Sequence, residues 1–426
     1  MGESGLGDFR LRWAGLFFLH ALAMGMWFVP LSLLLRASGH DALRPYAFAA
    51  SALAAFVSPL MFGAVADRHV SPVRVLRWLA GGTGGMILLT SWFLAAGVGS
   101  IWAWMMILGV ALAMAPTFGL TTAVVLSQLR DSGREFGPMR AMATVGWMVG
   151  CWLTSAFGAD GSLRSGYFCG WAWLGLSVFT WLLPEVPPPA VEAGGGWKAW
   201  LGWDALGLLR DRDHRVMYVT ASLFSVSLAG LYPYTPPHLQ DLGFVRLSAW
   251  MSLAQVTEVL ALLMLGGVLT RWRLKWTVVM GLVLGALRLG LCAWDRVVPV
   301  LVGVALHGVA FACVMITTQV YVAERVDAIW RARAQALLTL MTSGLGSLVG
   351  YLACGGWFAC SHWIGGEWRW TWFWGGWAVW TLGVLLYFLK AYRGRGHGLC
   401  RPSSREREVS ACAPMLVASV RPLRFQ

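Results

Sequence analysis

The stretches "LMFGAVADRHVSPVRVL" (60–76) and "LMLGGVLTRWRLKWTVV" (263–279) begin 203 residues apart and share one design. With Gly63 set on Gly266, Val65 meets Val268 and Arg68 meets Arg271. In each, an apolar run reaches a glycine, passes through a short cationic turn and enters a second apolar run. An element that returns after the same number of apolar blocks marks an internal repeat. The chain is therefore expected to fold as two similar halves. Gly63 lets two helices approach closely. Asp67, Arg68 and Arg271 then stand at helix ends, where they can pair with neighbouring ends and dipoles. Such pairs lock one conformation and release another, so these four residues are the gating candidates. The plainer alternative is a solvated loop that only orients its helix.

The solvent around these halves follows from composition. Of 426 residues, 58% are hydrophobic and 12% are charged, against about 25% charged in a soluble chain. The apolar residues fall in blocks of about 20, the length that crosses a bilayer as a helix. Twelve such blocks are expected, at 13–35, 46–66, 75–97, 101–128, 139–158, 166–184, 214–235, 247–270, 276–294, 297–322, 332–357 and 369–390. The first is too long for a cleaved leader, and Glu3 and Asp8 precede it where such a leader would be positive. With the N-terminus inside, inner segments carry 18 Lys and Arg and outer segments carry 6. By the positive-inside rule both termini are expected in the cytoplasm.

The net charge of +13 then reflects inner loops and tail and calls for no nucleic-acid partner. The eight cysteines are scattered, with no metal-ligand spacing, and read as small apolar residues. Only Cys354 and Cys360 stand where a pair is conceivable. No metal, no cofactor and no catalytic residues are expected.

The segment "PEVPPPAVEAGGGWKAWLGWDALGLLRDRDHR" (184–215) is rich in Pro and Gly and then briefly amphipathic. It separates six helices from six. The expected organisation is an all-α integral membrane protein with a bundle at 1–184, a cytoplasmic linker at 185–213, a second bundle at 214–391 and a basic, disordered tail at 392–426.

One block holds an anomaly. "MSLAQVTEVLALLML" (251–265) places Glu258 deep in an apolar helix, the only acid so placed. A charge at bilayer depth costs about 2.5–3.5 kcal/mol or more and marks a functional position. Desolvation favours the neutral form of a carboxyl, so Glu258 can load and unload a proton. The alternative is a permanently protonated core acid. Gln255 is its neighbour on the same helix face. In the fifth block, Arg140, Thr144 and Trp147 fall within one arc at about 100° per residue. An indole stacks on a ring, and an amide and a carboxylate bond hydroxyls or ring edges. Ordinary packing for Thr144 and Trp147, and a positive-inside anchor for Arg140, are the bland alternatives.

"GAVADRHVSPVR" (63–74) resembles the loop signature of the major facilitator superfamily, although Arg74 arrives late. More specific stretches resemble the nucleoside:proton symporter family within it: "APTFGLTTAVVLSQL" (115–129), "FGPMRAMATVGW" (136–147), "WLGWDALGLLRDR" (200–212), "MSLAQVTEVL" (251–260) and "RARAQALLTLMTSGLGSLVG" (331–350). The resemblance covers nearly the whole chain. It implies two pseudo-symmetric six-helix bundles in a bacterial inner membrane, with a substrate cavity between them. It also implies a nucleoside site at Arg140, Thr144, Trp147, Gln255 and Glu258, with Glu258 coupling the proton.

The chain departs from the family pattern. The acid of the tenth helix falls at Ala312, two polar positions of the seventh fall at Ala229 and Tyr232, and an Asn of the fourth becomes Thr122. Tyr232 and His20 join the substrate-binding candidates, and His307 is a further spare polar group. Arg288 is expected to snorkel to the interface. The tryptophans of "WRWTWFWGGWAVW" (368–380) begin where an aromatic belt belongs.

The expected function is proton-coupled uptake of nucleosides or a similar polar, ring-bearing metabolite, by a monomer in lipid. A sugar or drug carrier on the same scaffold is the alternative. A membrane-embedded transferase lacks loops for its catalytic groups, and a solute sensor lacks a signalling domain.

Overall fold

The computed structural model describes residues 3–66, 70–129, 132–187 and 203–394. Every regular element among them is helical. Twelve rods follow the apolar blocks in order. The first six are α1 (Glu3–Phe28, continued by Leu31–Ala37), α2 (Arg44–Ala66), α3 (Pro72–Ala95), α4 (Ser100–Gln128), α5 (Ser132–Ala156) and α6 (Arg164–Phe179). The second six are α7 (Arg212–Leu228, continued by Leu231–Asp241), α8 (Leu247–Met251 and Leu253–Arg271), α9 (Leu274–Ala293), α10 (Val297–Phe311, continued to Arg325), α11 (Ala328–Thr339, continued to Gly365) and α12 (Arg369–Ala391). Eight helical runs among the described residues are long and apolar enough to cross a membrane by length and composition, and the run Arg333–Ala391 spans two rods. Large apolar side chains cover the outer surface, Leu263 at 77% exposure and Trp78 at 72% among them. Such a surface needs lipid, since each helix satisfies its own backbone and only apolar side chains face outward.

The rods pack in a pattern that repeats. In the first six, α1 packs on α5 and α6, α2 on α4, and α3 on α4 and α6. In the second six, α7 packs on α11 and α12, α8 on α10, and α9 on α10 and α12. Adding six to each number turns one list into the other. The two seams between the sets obey the same relation, α5 against α8 and α2 against α11. The repeated element at 60–76 and 263–279 thus lies on equivalent rods. Each set has its own apolar core, one around Trp13, Phe17 and Trp173, the other around Tyr218, Phe224 and Phe388. The amphipathic turn Trp203–Arg210 sinks Ala205 and Leu208 into the second core. Residues 188–202 and 395–426, most of the expected linker and tail, lie outside the described residues.

One expectation changes here. Arg288 does not snorkel: it is 2% exposed inside the second set, and Nε and one terminal nitrogen have no partner. Its position on α9 turns it toward α10, where Gly303 approaches its carbonyl, rather than toward the interface. Cys354 is buried and Cys360 exposed, and both are free, because successive turns of α11 point them in different directions.

Close packing of α1 on α5 depends on a small-residue stripe. A Cβ on Gly146 would meet the Phe18 carbonyl, one on Gly150 the Leu22 carbonyl, and one on Gly25 the Trp147 carbonyl at 2.8 Å. Gly146 and Gly150 form a Gly-x-x-x-Gly pair, which lets helix backbones touch where no hydrophobic effect drives association. Replacing Gly150 by Leu is expected to lower stability by about 1–3 kcal/mol through overpacking. The measurement is the melting midpoint of the detergent-purified protein, and an unchanged midpoint would show that α1 and α5 have room to spare.

Candidate functional site

The α5–α8 seam opens into a cavity of about 290 Å³. Arg140, Ala143, Thr144 and Trp147 of α5 line one side, with Ala21, Met24 and Phe118 beside them. Tyr232 of α7 and Gln255 and Glu258 of α8 line the other. Six of the seven candidate substrate residues therefore meet around one space. The helical arc read from the sequence puts Arg140, Thr144 and Trp147 on the same face, and the seam aims that face at α8.

Each side chain is held from behind. Arg140 lies over the Phe118 ring, 4.8 Å from its centroid, and interacts electrostatically with Glu258 across the cavity. Trp147 stacks on Phe28 at 6.1 Å and leans on Tyr232 at 5.9 Å. Gln255 donates through Nε2 to the Tyr232 hydroxyl at 3.0 Å, and its Oε1 has no partner. Glu258 is seated by α10. Gly308 presses on the Glu258 amide and the Ala254 carbonyl so closely that a Cβ would not fit. Thr257 donates to the Ala305 carbonyl at 2.5 Å. The sequence reading passed over Gly308 and Thr257, since a glycine in an apolar helix and a hydroxyl beside an acid carry no pattern by themselves.

His20 stands behind the wall instead of on it. The Thr117 hydroxyl donates to the Met114 carbonyl at 2.6 Å. Its oxygen must then accept from His20 Nε2, 2.8 Å away, which leaves Nδ1 as the unprotonated nitrogen. The ring packs on Trp173 and on Phe118, so His20 supports the ring that supports Arg140. His307 is buried in α10 and stacks on Phe311. Ala312 is fully buried and begins a π turn, Ala312–Ile316; a second occupies Leu340–Gly346 of α11. Such turns gather at functional positions, and no sequence pattern marks them. Thr122 bonds the Phe118 carbonyl one turn back.

Of the gating candidates, Asp67 and Arg68 lie outside the described residues. Gly63 falls within α2, and Arg271 ends α8 exposed to solvent.

The hydrogen bonds that join the two sets among the described residues gather at the end away from both termini. There Arg36 of α1 pairs with Asp241 of α7 at 2.9 Å and bonds Gln240 at 3.1 Å. Arg369 and Trp370 of α12 hold the same Asp241, at 2.6 and 3.0 Å. Arg44 of α2 pairs with Asp41 and lies over Tyr234 and Phe358 of the second set. The tryptophans of 368–380 are more than a belt: Trp370 stacks on buried His238 at 4.6 Å, and Trp374 donates to its Nδ1 at 3.0 Å.

Comparison with known proteins gives this arrangement a lineage. A family model described as Nucleoside H+ symporter matches residues 8–396. The chain belongs to the nucleoside:proton symporter family. It is 32% identical over 349 residues to the putative nucleoside transporter YegT of Escherichia coli K12, covering 78% of this chain and 81% of that protein. It is 27% identical to the xanthosine permease of the same organism, covering 79% and 85%. A crystal structure of nucleoside transporter NupG superposes with a TM-score of 0.80 at 22% identity, covering 91% of this chain and all of that one. A D-xylose-proton symporter shares the fold with a TM-score of 0.70 at 14% identity over 92% and 100%. As a member of this symporter family the chain is a major facilitator transporter, an integral membrane protein and not an enzyme.

The wall and the layer behind it can be told apart chemically. In a background with Cys360, Cys400 and Cys412 replaced by Ser, Thr144→Cys is expected to react readily with a small water-soluble thiol reagent, and Thr117→Cys only on denaturation. Equal rates for the two, followed by mass spectrometry, would contradict the cavity's boundary.

Proposed function

We propose that this symporter carries nucleosides, or a closely similar polar, ring-bearing metabolite, inward with protons across a bacterial inner membrane, as a monomer with both termini in the cytoplasm. The observation that carries the reading is the convergence of Arg140, Thr144 and Trp147 with Tyr232, Gln255 and Glu258 on one space between the two sets. Its volume stands at the small end of ligand pockets, which begin near about 300 Å³, and so suits a single ring system with a sugar. Trp147 and Tyr232 offer ring faces, and the charged and amide groups offer edges. The relatives' names, nucleoside transporter and xanthosine permease, agree with that chemistry.

The proton has one place to act in this cavity. With Glu258 ionised, its charge and that of Arg140 offset one another across the space. Once Glu258 takes a proton, Arg140 is left as the only charge on the walls and turns to acceptor atoms of the substrate. The neutral carboxyl becomes a donor as well as an acceptor. Loading of proton and substrate thereby favour one another, and loss of the proton restores the pair and expels the ligand. The ties at the end away from the termini, with the 18-to-6 bias of cations, support a state closed to the outside and open to the cytoplasm. Arg271 would meet neighbouring helix ends in the opposite state.

A sugar or drug carrier is the second reading. Ala229 and Ala312 favour it, since both are buried and apolar where the family resemblance calls for polar groups. Uptake of labelled nucleosides by cells lacking their own carriers separates the two, and failure of every nucleoside to accumulate would select the second.

Orientation is tested by reporter fusions after Gln426 and near Gly195, both expected to report cytoplasm. A periplasmic signal from either would overturn the topology. Coupling is tested at Glu258. External protons are co-substrates, so wild-type accumulation is expected to fall as external pH rises. Glu258→Gln, nearly isosteric with the protonated acid, is expected to fold, to bind or exchange substrate, and to lose concentrative, uncoupler-sensitive uptake together with its pH dependence. Proton-driven accumulation unchanged in Glu258→Gln would place the proton elsewhere.

A further inference from the structure

A cluster of polar contacts joins the two sets on the rods that line the cavity. Asp160 follows α5, and one of its carboxylate oxygens accepts from the backbone N–H of Ser248 at 3.0 Å and from the Ser248 hydroxyl. The other accepts from the Ser155 hydroxyl. Ser155 in turn accepts the N–H of Ala249 at 2.9 Å. One turn deeper, Trp152 donates to the Ser252 hydroxyl at 2.8 Å. Ser155, Ser248 and Ser252 are all buried.

The first turn of α8 supplies these partners only in part. Arg246 precedes it in the left-handed region, φ 58°, and provides no side-chain cap. The N–H groups of a helix's first turn need acceptors from outside the helix. Here that of Ser248 receives its acceptor from the opposite set, and that of Ala249 is shared between the Arg246 carbonyl at 3.1 Å and Ser155. Separation of the sets at this end removes the acceptor of Ser248 and the second acceptor of Ala249, together with the Trp152–Ser252 bond. The turn Leu247–Met251 is also offset from the rest of α8 at Ser252, so it can shift without unwinding the helix. Below it, Gln255 and Glu258 follow within about 15 Å of Ser248, at 1.5 Å per residue. Trp147 lies about one and a half turns before Trp152 on α5.

We propose, resting on the alternating-access reading above, that Asp160, Ser155 and Trp152 are positioning residues of transport. They complete the start of α8 only while this end is closed, and so set the balance between the two states of the cavity. Asp160 carries the largest share, because it is ionic and engages both Ser248 and Ser155. No substrate touches these groups. Their effect passes through the placement of α8, the rod that bears Gln255 and Glu258.

The test measures the closed end directly. Spin labels at Phe157→Cys and Val245→Cys, both exposed, report its opening in lipid nanodiscs, in a background with Cys360, Cys400 and Cys412 replaced by Ser. Asp160→Ala is expected to shift the ratio of closed to open end about fivefold or more toward open, the effect of one lost helix cap. Uptake should fall while thermal stability stays near that of the parent. Asp160→Asn, which keeps an acceptor, should recover part of the shift. Ser155→Ala should move the distances the same way by less, and it stands in should Asp160→Ala not fold. Unchanged distances in Asp160→Ala, or in Ser155→Ala where the former does not fold, would overturn the proposal. The distance measurement needs no substrate. An altered distance with no nucleoside uptake in the parent would therefore count against the nucleoside reading and in favour of the latch.

Discussion

A carboxyl inside a membrane persists only in company, and the company kept by Glu258 shapes the middle of this protein. The acid cannot face lipid, so α8 must turn it toward a seam. Gly308 presses α10 against the backbone of the same turn, which fixes the rotation of α8 about its axis. With that rotation set, Gln255 faces the same space, and Tyr232 can reach its amide. The guanidinium of Arg140 then compensates the charge from the other set. Removing one partner of such a pair leaves a charge with no compensation in a low dielectric. A cation and an acid belonging to different sets thus face one cavity across the seam.

The fold is symmetric, but its two seams are chemically unlike. The α2–α11 seam is largely aromatic: Phe48 meets Tyr351, Phe56 packs on Gly344, and Pro45 packs on Gly355, and at one end it opens beside Arg44 and Phe358 into a space of about 560 Å³. The α5–α8 seam holds the charges, the amide and the polar contacts at the closed end. A repeat supplies two equivalent grooves, and only one needs ligand chemistry.

Much of this was legible in the sequence because it rests on local order. Lengths of apolar runs gave the rods, and the repeated element gave their relation. A lone acid among Val and Leu pointed at Glu258. An arc of about 100° per residue collected Arg140, Thr144 and Trp147. What escaped depends on residues brought together by tertiary packing. Arg288 reads as an anchor near a helix end and is in fact buried against α10. His20 shares the polarity of a site residue, yet the Thr117 hydroxyl occupies its Nε2 and places it one layer back. Asp160 and Ser155 resemble any loop acid and any helix serine until α8 arrives with the Ser248 N–H, which needs an acceptor. The tryptophans after Trp368 match a belt in composition, and only the position of His238 shows that two of them are structural.

These differences bear on how the states of a transporter can be nearly equal in energy. Apolar seams exchange one set of dispersion contacts for another as they slide, at small net cost. Polar seams do not, because each donor left without an acceptor in a dry environment costs about 1–3 kcal/mol. A seam such as α5–α8 must therefore be satisfied in one state by protein and in the other by water admitted as it opens. The end held by Asp160 lies where water can enter, so Ser248 need not remain orphaned when Asp160 withdraws. Arg140 and Glu258 lie too deep for that remedy to be complete. In the cycle proposed above their remaining compensation comes from a proton and a polar ligand, and this joins movement of the sets to occupancy of the cavity.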